Sequence, residues 1–237
     1  MRDAGVQNRL LAALPIAESE RLYPHLEWIP LPRGQVLYGS GDELQHVYFP
    51  IDAIISLLYV MADGSPAEIA MVGNEGVIGI ALFMGGETMP NHAAVLRAGN
   101  AYRVKGQLLK EEFSRAGELQ HLLLRYTQAL LTQMSQTAAC NRHHSIHQQL
   151  CCWLLLQLDR LGSNVLAMTH EVIANTLGVR REGVTEAARS LQNAGLIRYT
   201  RGRITVLDRP GLEACACECY QVVKTEFDRL LPYARAM

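Results

Sequence analysis

The sequence predicts an α+β fold in which an N-terminal antiparallel β-roll precedes one long helix and a C-terminal group of helices with a hairpin. Three observations support this fold class. Short apolar segments separated by turn residues fill positions 28–104, helical periodicity runs from Glu118 to about Ala139, and two helical segments precede a hairpin pattern near residue 200. A chain of 237 residues is long enough for two modest domains.

The region 28–104 has the pattern of a jelly-roll-like β-roll. Turn signals such as Gly39-Ser40-Gly41-Asp42 and Ala62-Asp63-Gly64 separate its apolar segments. Many short strands at this spacing are typical of antiparallel rolls and barrels. The candidate strands are Trp28–Leu31, Gln35–Tyr38, His46–Ile51, Ala53–Met61, Ser65–Val72, Gly76–Ile78, His92–Arg97 and Asn100–Val104.

The residues after Gly117 predict a dimerisation helix. Side chains spaced by three and four residues form a heptad-like seam that is apolar in its first half and polar in its second. The seam residues are Leu119, Leu123, Tyr126, Leu130, Gln133 and Thr137. We expect this seam to pack against the same helix of a second copy, with a core helix of a monomer as the alternative. A further helix is expected over Ser145–Leu161.

The stretch from Thr169 to Asp208 predicts a winged helix-turn-helix. Thr169 is a suitable N-cap for a first helix, and Gly178 suits the left-handed turn that ends it. A second helix is expected over Arg180–Asn193, followed by a hairpin that turns at Arg201-Gly202. This order of elements places the second helix in a DNA major groove, so the sequence predicts double-stranded DNA as a partner.

The charges of this stretch support DNA binding. Between Gly178 and Arg209 every cation is an arginine, which suits bidentate contacts to phosphate or guanine. We expect base-side contacts from the start of the second helix and phosphate contacts from its later arginine and from the hairpin. The predicted base-side residues are Arg180, Arg181, Glu182 and Thr185, the predicted phosphate contacts are Arg189, Arg201 and Arg203, and the remaining DNA-contacting candidates are Thr169 and Glu186.

The chain resembles the Crp–Fnr family of transcription regulators. The resemblance rests on Leu177–Thr185 with Leu191 and Gly195–Ile197, and on turn motifs of the roll such as Pro32-Arg33-Gly34 and Gly76–Gly79. It implies a cyclic-nucleotide-binding-like roll, a homodimer that reads a roughly two-fold operator, and RNA polymerase as a further partner. Arg181 and Glu182 occupy the positions of the family's Arg-Glu pair. Glu186 stands where cyclic-AMP-responsive members carry a second recognition arginine, so a different operator is expected.

The same resemblance locates a candidate effector pocket. Ile80 stands where cyclic-AMP-binding members carry a ribose-binding Glu, and Pro90-Asn91-His92 replaces their phosphate-binding Arg pair. A bound phosphate needs a cation or free backbone N–H groups. We therefore expect a small effector other than cyclic AMP, or none. The pocket residues are Gly79, Ile80, Asn91, His92 and Arg97.

The charge distribution indicates a sensor joined to a DNA-binding region. The net charge is −1, but residues 1–106 carry 7 basic and 11 acidic side chains, while residues 178–237 carry 10 basic and 7 acidic ones. We expect a sensor domain at 1–117, a dimerisation helix and hinge at 118–142, and the DNA-binding domain at 143–237. We expect no export signal at the N-terminus, since this segment is amphipathic, and no apolar run is long enough to cross a membrane. The six cysteines are therefore expected to be reduced thiols in the cytoplasm.

Two alternatives follow from other features of the sequence. A redox- or metal-responsive regulator could use Cys140, His143 and His147, which with His144 and Cys151 follow helical spacing, or the CxCxC set Cys215, Cys217 and Cys219. In a continuous helix the CxCxC thiols would not converge, so no metal and no cofactor are predicted. The other alternative is a signalling module that binds a ligand and not DNA. No nucleophile–base set indicates an enzyme.

Overall fold

The computed structural model describes residues 7–231, which form two compact units. The first unit contains the described residues up to Leu58, residues Ala70–Leu131 and the described residues from Glu226 on. The second contains Tyr59–Ile69 and Thr132–Thr225. No helix among residues 7–231 is long and apolar enough to cross a membrane.

The predicted roll is present as two antiparallel sheets with the strand orders β1-β7-β3 and β2-β6-β4-β5. Its strands are β1 (Glu27–Leu31), β2 (Val36–Tyr38), β3 (His46–Pro50), β4 (Ile54–Val60), β5 (Pro66–Val72), β6 (His92–Arg97) and β7 (Gly99–Lys105). The predicted strand at Gly76–Ile78 is reduced to one bridge between Ile78 and Tyr48. Gly99 permits a close approach within the roll, because an added Cβ would lie only 2.4 Å from the backbone nitrogen of Ala53.

Short helices flank the roll, and one of them supplies the cap of the long helix. They are α1 (Arg9–Ala12), α2 (Ile16–Leu22), α3 (Ala81–Met84) and α4 (Gly106–Ser114), with a 3-10 turn at Tyr23–His25. The Glu18 carboxylate accepts hydrogen bonds from the N–H groups of Glu118 and Leu119 at 2.9 and 2.8 Å. A carboxylate at a helix N-terminus satisfies unpaired N–H groups and complements the helix dipole. An added Cβ at Gly117 would lie 2.6 Å from this carboxylate.

The long helix α5 spans Glu118–His143, so it runs four residues further than the sequence suggested. Its predicted seam packs on its own chain: Leu119, Leu123, Tyr126, Leu130 and Gln133 are all buried, and Thr137 is half-buried. The Tyr126 ring, for example, meets Phe227 edge-on with centroids 6.5 Å apart. The prediction that this stripe forms the dimer seam is therefore wrong, since its apolar groups are already covered.

The second unit contains the remaining elements, with a small sheet of order β8-β10-β9. They are α6 (Ile146–Arg160), β8 (Val165–Leu166), α7 (His170–Leu177), α8 (Arg181–Asn193), β9 (Ile197–Thr200), β10 (Arg203–Val206), α9 (Arg209–Cys215) and α10 (Glu218–Leu230). Ser145 and Gln148 form a capping box at the start of α6. Strand β8, which pairs with β10, was not predicted.

Candidate DNA-binding surface

The two helices α7 and α8 and the turn between them form as the sequence predicts. The Thr169 hydroxyl caps α7 by accepting a hydrogen bond from the Val172 N–H at 3.3 Å. Gly178 ends the helix at φ 64°, in the left-handed region that suits glycine. The N–H of the next residue, Val179, donates to the Ala174 carbonyl at 3.0 Å. These local contacts set the direction in which α8 leaves the turn.

One face of each helix packs inward and leaves the opposite face exposed. Ile173 and Ala174 of α7 are buried. The buried residues of α8 are Val184, Ala187, Ala188 and Leu191, which lie three and four positions apart. The small side chains at Ala187 and Ala188 permit close helix packing. As a result the polar residues of α8 form its outer face.

The exposed face of α8 carries most of the predicted DNA-contacting residues. Arg180, at the N-cap, has no side-chain hydrogen bond that caps the helix. The first α8 amides are therefore not capped by that side chain, and a helix N-terminus of this kind attracts phosphate. Arg181 lies 3.8 Å from Glu171, but both side chains are largely exposed, so this ion pair is weak. A shallow depression on this face is lined by Arg181, Glu182, Thr185, Glu186 and Arg189.

The wing is a tight hairpin. Thr200 pairs with Arg203, which leaves Arg201 and Gly202 as a two-residue loop with φ values of 48° and 75°. Positive φ at both positions is the type I′ geometry that matches the twist of paired strands. Arg201 and Arg203 are exposed. An added Cβ at Gly202 would lie 3.4 Å from the Thr169 side chain, so the tip of the wing lies beside the start of α7.

Two residues behind this face were missed by the sequence reasoning. Nδ1 of His170 lies 3.0 Å from the Thr185 hydroxyl, which also donates to the Arg181 carbonyl at 3.0 Å. The His170 ring stacks on Tyr199 with centroids 4.0 Å apart. Burial, and then the nearby Arg181 charge, lower the pKa of His170. The hydroxyl of Thr185 is thus engaged within the protein, and no spacing in the sequence signals this contact between α7, α8 and β9.

The residues of the candidate effector pocket lie on separate segments of the roll. Asn91 is fully buried, with its Nδ2 3.4 Å from the Tyr38 hydroxyl, and Nδ1 of His92 is buried without a hydrogen-bond partner among residues 7–231. Gly79 adopts φ 103°, and Ile80 is the N-cap of α3.

Arg97 does not belong to this group. Asn91 and His92 stand at the start of β6 and Arg97 at its end, about 17 Å away at the rise of a β-strand. There the Arg97 guanidinium donates a hydrogen bond to the Asp52 carbonyl at 3.1 Å. The inclusion of Arg97 in the pocket was therefore wrong, because Arg97 lies five positions from His92 along an extended strand.

The cysteine and histidine sets proposed from the sequence are divided differently in the structure. Cys140 comes together with His144, Cys217 and Cys219, and His143, His147 and Cys215 are not members of this group. All six cysteines are free thiols. The convergence of Cys217 with Cys219 corrects the expectation that the CxCxC thiols diverge, since α9 ends at Cys215 and α10 begins only at Glu218.

A winged helix-turn-helix with an exposed, arginine-bearing second helix defines the class of the protein as a DNA-binding regulator. The family model described as a cyclic nucleotide-binding domain matches residues 28–116, and the model described as a Crp-like helix-turn-helix domain matches residues 148–215. The chain belongs to the Crp–Fnr family of transcription regulators.

Known proteins are similar along most of the chain. The global nitrogen regulator of Synechococcus elongatus is 22% identical over 185 residues, which are 74% of this chain and 83% of that protein. A transcriptional regulator of the crp/fnr family from Eubacterium rectale has a TM-score of 0.66 and 18% identity over 85% of this chain and 94% of its own. FixK2 from Bradyrhizobium japonicum has a TM-score of 0.68 and 17% identity, covering 81% and 98% respectively.

Proposed function

We propose that this DNA-binding regulator acts as a homodimer that places α8 of each copy in the major groove of a roughly two-fold operator. The observation that carries the proposal is the exposed face of α8, where Arg181, Glu182, Glu186 and Arg189 lie side by side. Two-fold dimers of this class bind half-sites one helical turn apart, or a multiple of it.

The positions along α8 support separate roles for its residues. Arg180, Arg181 and Glu182 begin the helix, where side chains of a docked helix reach base edges, and we assign base contacts to them. Arginine suits guanine, and a carboxylate accepts from the cytosine amino group. Because the Thr185 hydroxyl is held by Arg181 and His170, we assign Thr185 to shaping the groove-facing surface.

The surrounding residues are suited to holding the DNA backbone. Arg189 lies later on α8, and Arg201 and Arg203 lie on the wing. Thr169 begins α7 beside the tip of the wing, so its exposed edge is placed for a further phosphate contact. Phosphate contacts fix the position of a protein on the duplex, while base contacts select the sequence. Glu186 is assigned to the sequence preference that separates this protein from cyclic-AMP-responsive relatives.

The proposed dimer uses a different stripe of α5 from the buried one. Leu124 and Leu131 are 48% and 56% exposed and lie two helical turns apart on this helix. Two large apolar side chains at heptad spacing form the seam of a short coiled-coil contact. This stripe, and not the one from Leu119 to Thr137, is therefore assigned to the contact with a second copy.

The effector and the remaining partners complete the proposal. The pocket of the roll has Ile80, Asn91 and His92 at the positions that bind ribose and phosphate in relatives responsive to cyclic AMP, so cyclic AMP is not assigned as the effector. RNA polymerase is proposed as a partner from the family resemblance. The functional division at residues 1–117, 118–142 and 143–237 and a cytoplasmic location are kept as parts of the proposal.

Selection of DNA from a random pool by the full chain tests the proposed operator. The expected result is an enriched pair of half-sites related by two-fold symmetry. A gel-shift titration over a range of salt concentrations then separates this function from a signalling module without DNA, because phosphate contacts make affinity fall steeply with salt. Enrichment of an asymmetric single site, or of nothing, would contradict the proposal.

A further inference from the structure

Four side chains in the second unit place their metal-binding atoms together. They are Cys140 in the last turn of α5, His144 directly after that helix, and Cys217 and Cys219 at the junction of α9 with α10. Each of the four ligand atoms lies within 4.8 Å of the other three. The Sγ atoms of Cys140 and Cys217 are 3.6 Å apart, and Sγ of Cys219 is 3.6 Å from Nδ1 of His144.

Two local features of the backbone produce this convergence. Cys140 and His144 are four residues apart, and the N–H of His144 donates to the Cys140 carbonyl at 3.0 Å, so both side chains lie on one face. Ala216 is extended, with φ −74° and ψ 158°, and it separates α9 from α10. Because the helix is interrupted there, Cys217 and Cys219 are not held to helical spacing.

The distances match a single tetrahedral metal ion. A zinc ion with bonds of about 2.3 Å to sulfur holds its sulfur ligands about 3.8 Å apart in tetrahedral geometry. The sulfur contact of 3.6 Å is close to this value, and all four ligand atoms lie within 4.8 Å of one another, as the ligands of one ion do. The three cysteines are buried and the histidine is half-buried. A closed set of three thiolates and one imidazole is typical of structural zinc sites.

The histidine is oriented for this role by a second contact. Nε2 of His144 lies 3.4 Å from the Glu218 carboxylate, while Nδ1 points toward Cys219. Metal-bound histidines usually donate their other ring N–H to a carboxylate or carbonyl, which fixes the tautomer. The neighbouring His143 is exposed and is not in the group. The arrangement thus includes both the ligand atoms and an outer partner.

A further thiol lies next to the group. Sγ of Cys152 is 3.2 Å from Sγ of Cys217, and Cys152 is buried. Cys152 does not belong to the group of four ligand atoms, so its contact with Cys217 offers a disulfide as the alternative to metal binding.

We infer that Cys140, His144, Cys217 and Cys219 bind one divalent ion of the zinc class, which fastens the end of α5 to the junction of α9 with α10. The site goes beyond the proposed function, because it needs no DNA and lies in residues outside the exposed face of α8. Binding only to the folded chain stabilises it, so the ion raises the melting temperature of the protein.

Metal titration of the full-length chain tests the site. Untagged protein is reduced, stripped with a chelator and titrated with Co²⁺ and then with Zn²⁺. The expected result is one equivalent of Co²⁺ per chain with the absorption of a tetrahedral cobalt–thiolate complex, its loss on adding Zn²⁺, and a higher melting temperature with zinc. A reduced chain that gives no such spectrum would overturn the inference, as would a Cys152–Cys217 disulfide forming in place of metal binding.

Matched variants locate the ligands. We expect Cys219→Ser and His144→Asn to weaken Co²⁺ binding at least 100-fold, and Glu218→Gln to weaken it about 10-fold, as is typical of an outer partner. The controls Cys215→Ser and His143→Asn alter neighbouring groups outside the site and are expected to change affinity less than 2-fold. An equal loss in controls and ligand variants would overturn the assignment. If a ligand variant does not fold, the wild-type titration decides.

Discussion

The exposed face of α8 and the candidate effector pocket of the roll differ in the charge of their side chains. On α8, Arg180, Arg181 and Arg189 are exposed beside an N-terminus without a side-chain cap. In the roll, the candidate pocket residues Ile80 and Asn91 have uncharged side chains, and Arg97 lies at the far end of β6, where it donates to the Asp52 carbonyl. A surface that binds DNA needs cations, because phosphate dominates its affinity. The cations of the proposed DNA-binding surface are thus concentrated on α8, and the candidate pocket residues Ile80 and Asn91 contribute none.

The two regions also differ in how many separate segments of the chain build them. The α8 face is built from neighbouring residues of one helix and a hairpin, so a small part of the chain suffices to present it. The candidate pocket residues come from separate segments of the roll, where Asn91 is buried and Nδ1 of His92 is a buried hydrogen-bonding atom. We therefore keep the prediction of a small effector other than cyclic AMP, or of none.

The largest expected loss of operator affinity comes from preventing dimer formation through α5, since the two copies of α8 are then no longer linked. The double variant Leu124→Asp/Leu131→Asp puts carboxylates at the proposed dimer stripe, where burial without a partner is unfavourable. We expect a monomer by sedimentation equilibrium and at least a 100-fold loss of operator affinity. Ile16→Asp, which alters a 77% exposed residue on α2, is the control. A variant that stays dimeric would place the contact elsewhere.

The next largest effect is a loss of operator affinity when a base contact of α8 is removed. Arg181→Ala should cost about 1–3 kcal/mol on the selected operator, as expected for a bidentate base contact, and much less on random DNA. Competition gel shifts with both DNAs measure the difference. Arg229→Ala on α10 removes an exposed arginine paired with Glu226 and serves as the control. Undiminished discrimination in the Arg181 variant would show that its role is not base recognition.

Cyclic AMP is expected to have no effect through the roll. Because Ile80 and Asn91 carry no positive charge to pair with a phosphate, 1 mM cyclic AMP is expected to leave both the melting temperature and operator affinity unchanged. A ligand present at 100 times its dissociation constant would stabilise the fold by about 2.7 kcal/mol, which thermal unfolding detects easily. A clear rise in melting temperature would mean that other groups replace the missing charges.

The smallest effect is the pH dependence that His170 contributes. Its pKa is lowered in the fold, so the neutral ring is favoured and its contribution to stability is complete above the usual value of about 6.5. That contribution is lost as the pH falls through the lowered pKa. Chemical denaturation should therefore show His170→Gln and wild type converging in stability as the pH falls below about 6.5. His121→Gln on α5 is the control, and parallel curves for wild type and His170→Gln would contradict the account.

The parts of the fold that depend on local signals could be predicted from the sequence. Thr169, Gly178 and Ser145 cap helices through contacts with residues a few positions away. In the structure α7 begins after Thr169 and ends before Gly178, and α6 begins after Ser145. The Arg201-Gly202 turn is similarly local. The predicted bounds of most strands of the roll also lie within a few residues of the observed ones, because apolar segments and the turn residues between them are visible in the sequence.

The parts that depend on distant residues could not be predicted. Periodicity shows that α5 has an apolar stripe, but not that Tyr126 would be covered by Phe227 from the far end of the chain. The contact of Cys140 with Cys217 joins residues 77 positions apart. It also depends on a break in the helix at Ala216, which the CxCxC spacing does not indicate. His170 was missed for the same reason, since its partners Thr185 and Tyr199 lie on other elements.

Comparison of a complete operator with a half-operator tests the central claim most directly. The selected site is compared with a copy in which one half-site is scrambled, using the full chain at one salt concentration. If two copies of α8 read the site together, the half-operator is bound at least about 100-fold more weakly, since each mismatched base pair costs about 1–3 kcal/mol. Equal affinity for both DNAs would contradict the account of a dimer with paired recognition helices.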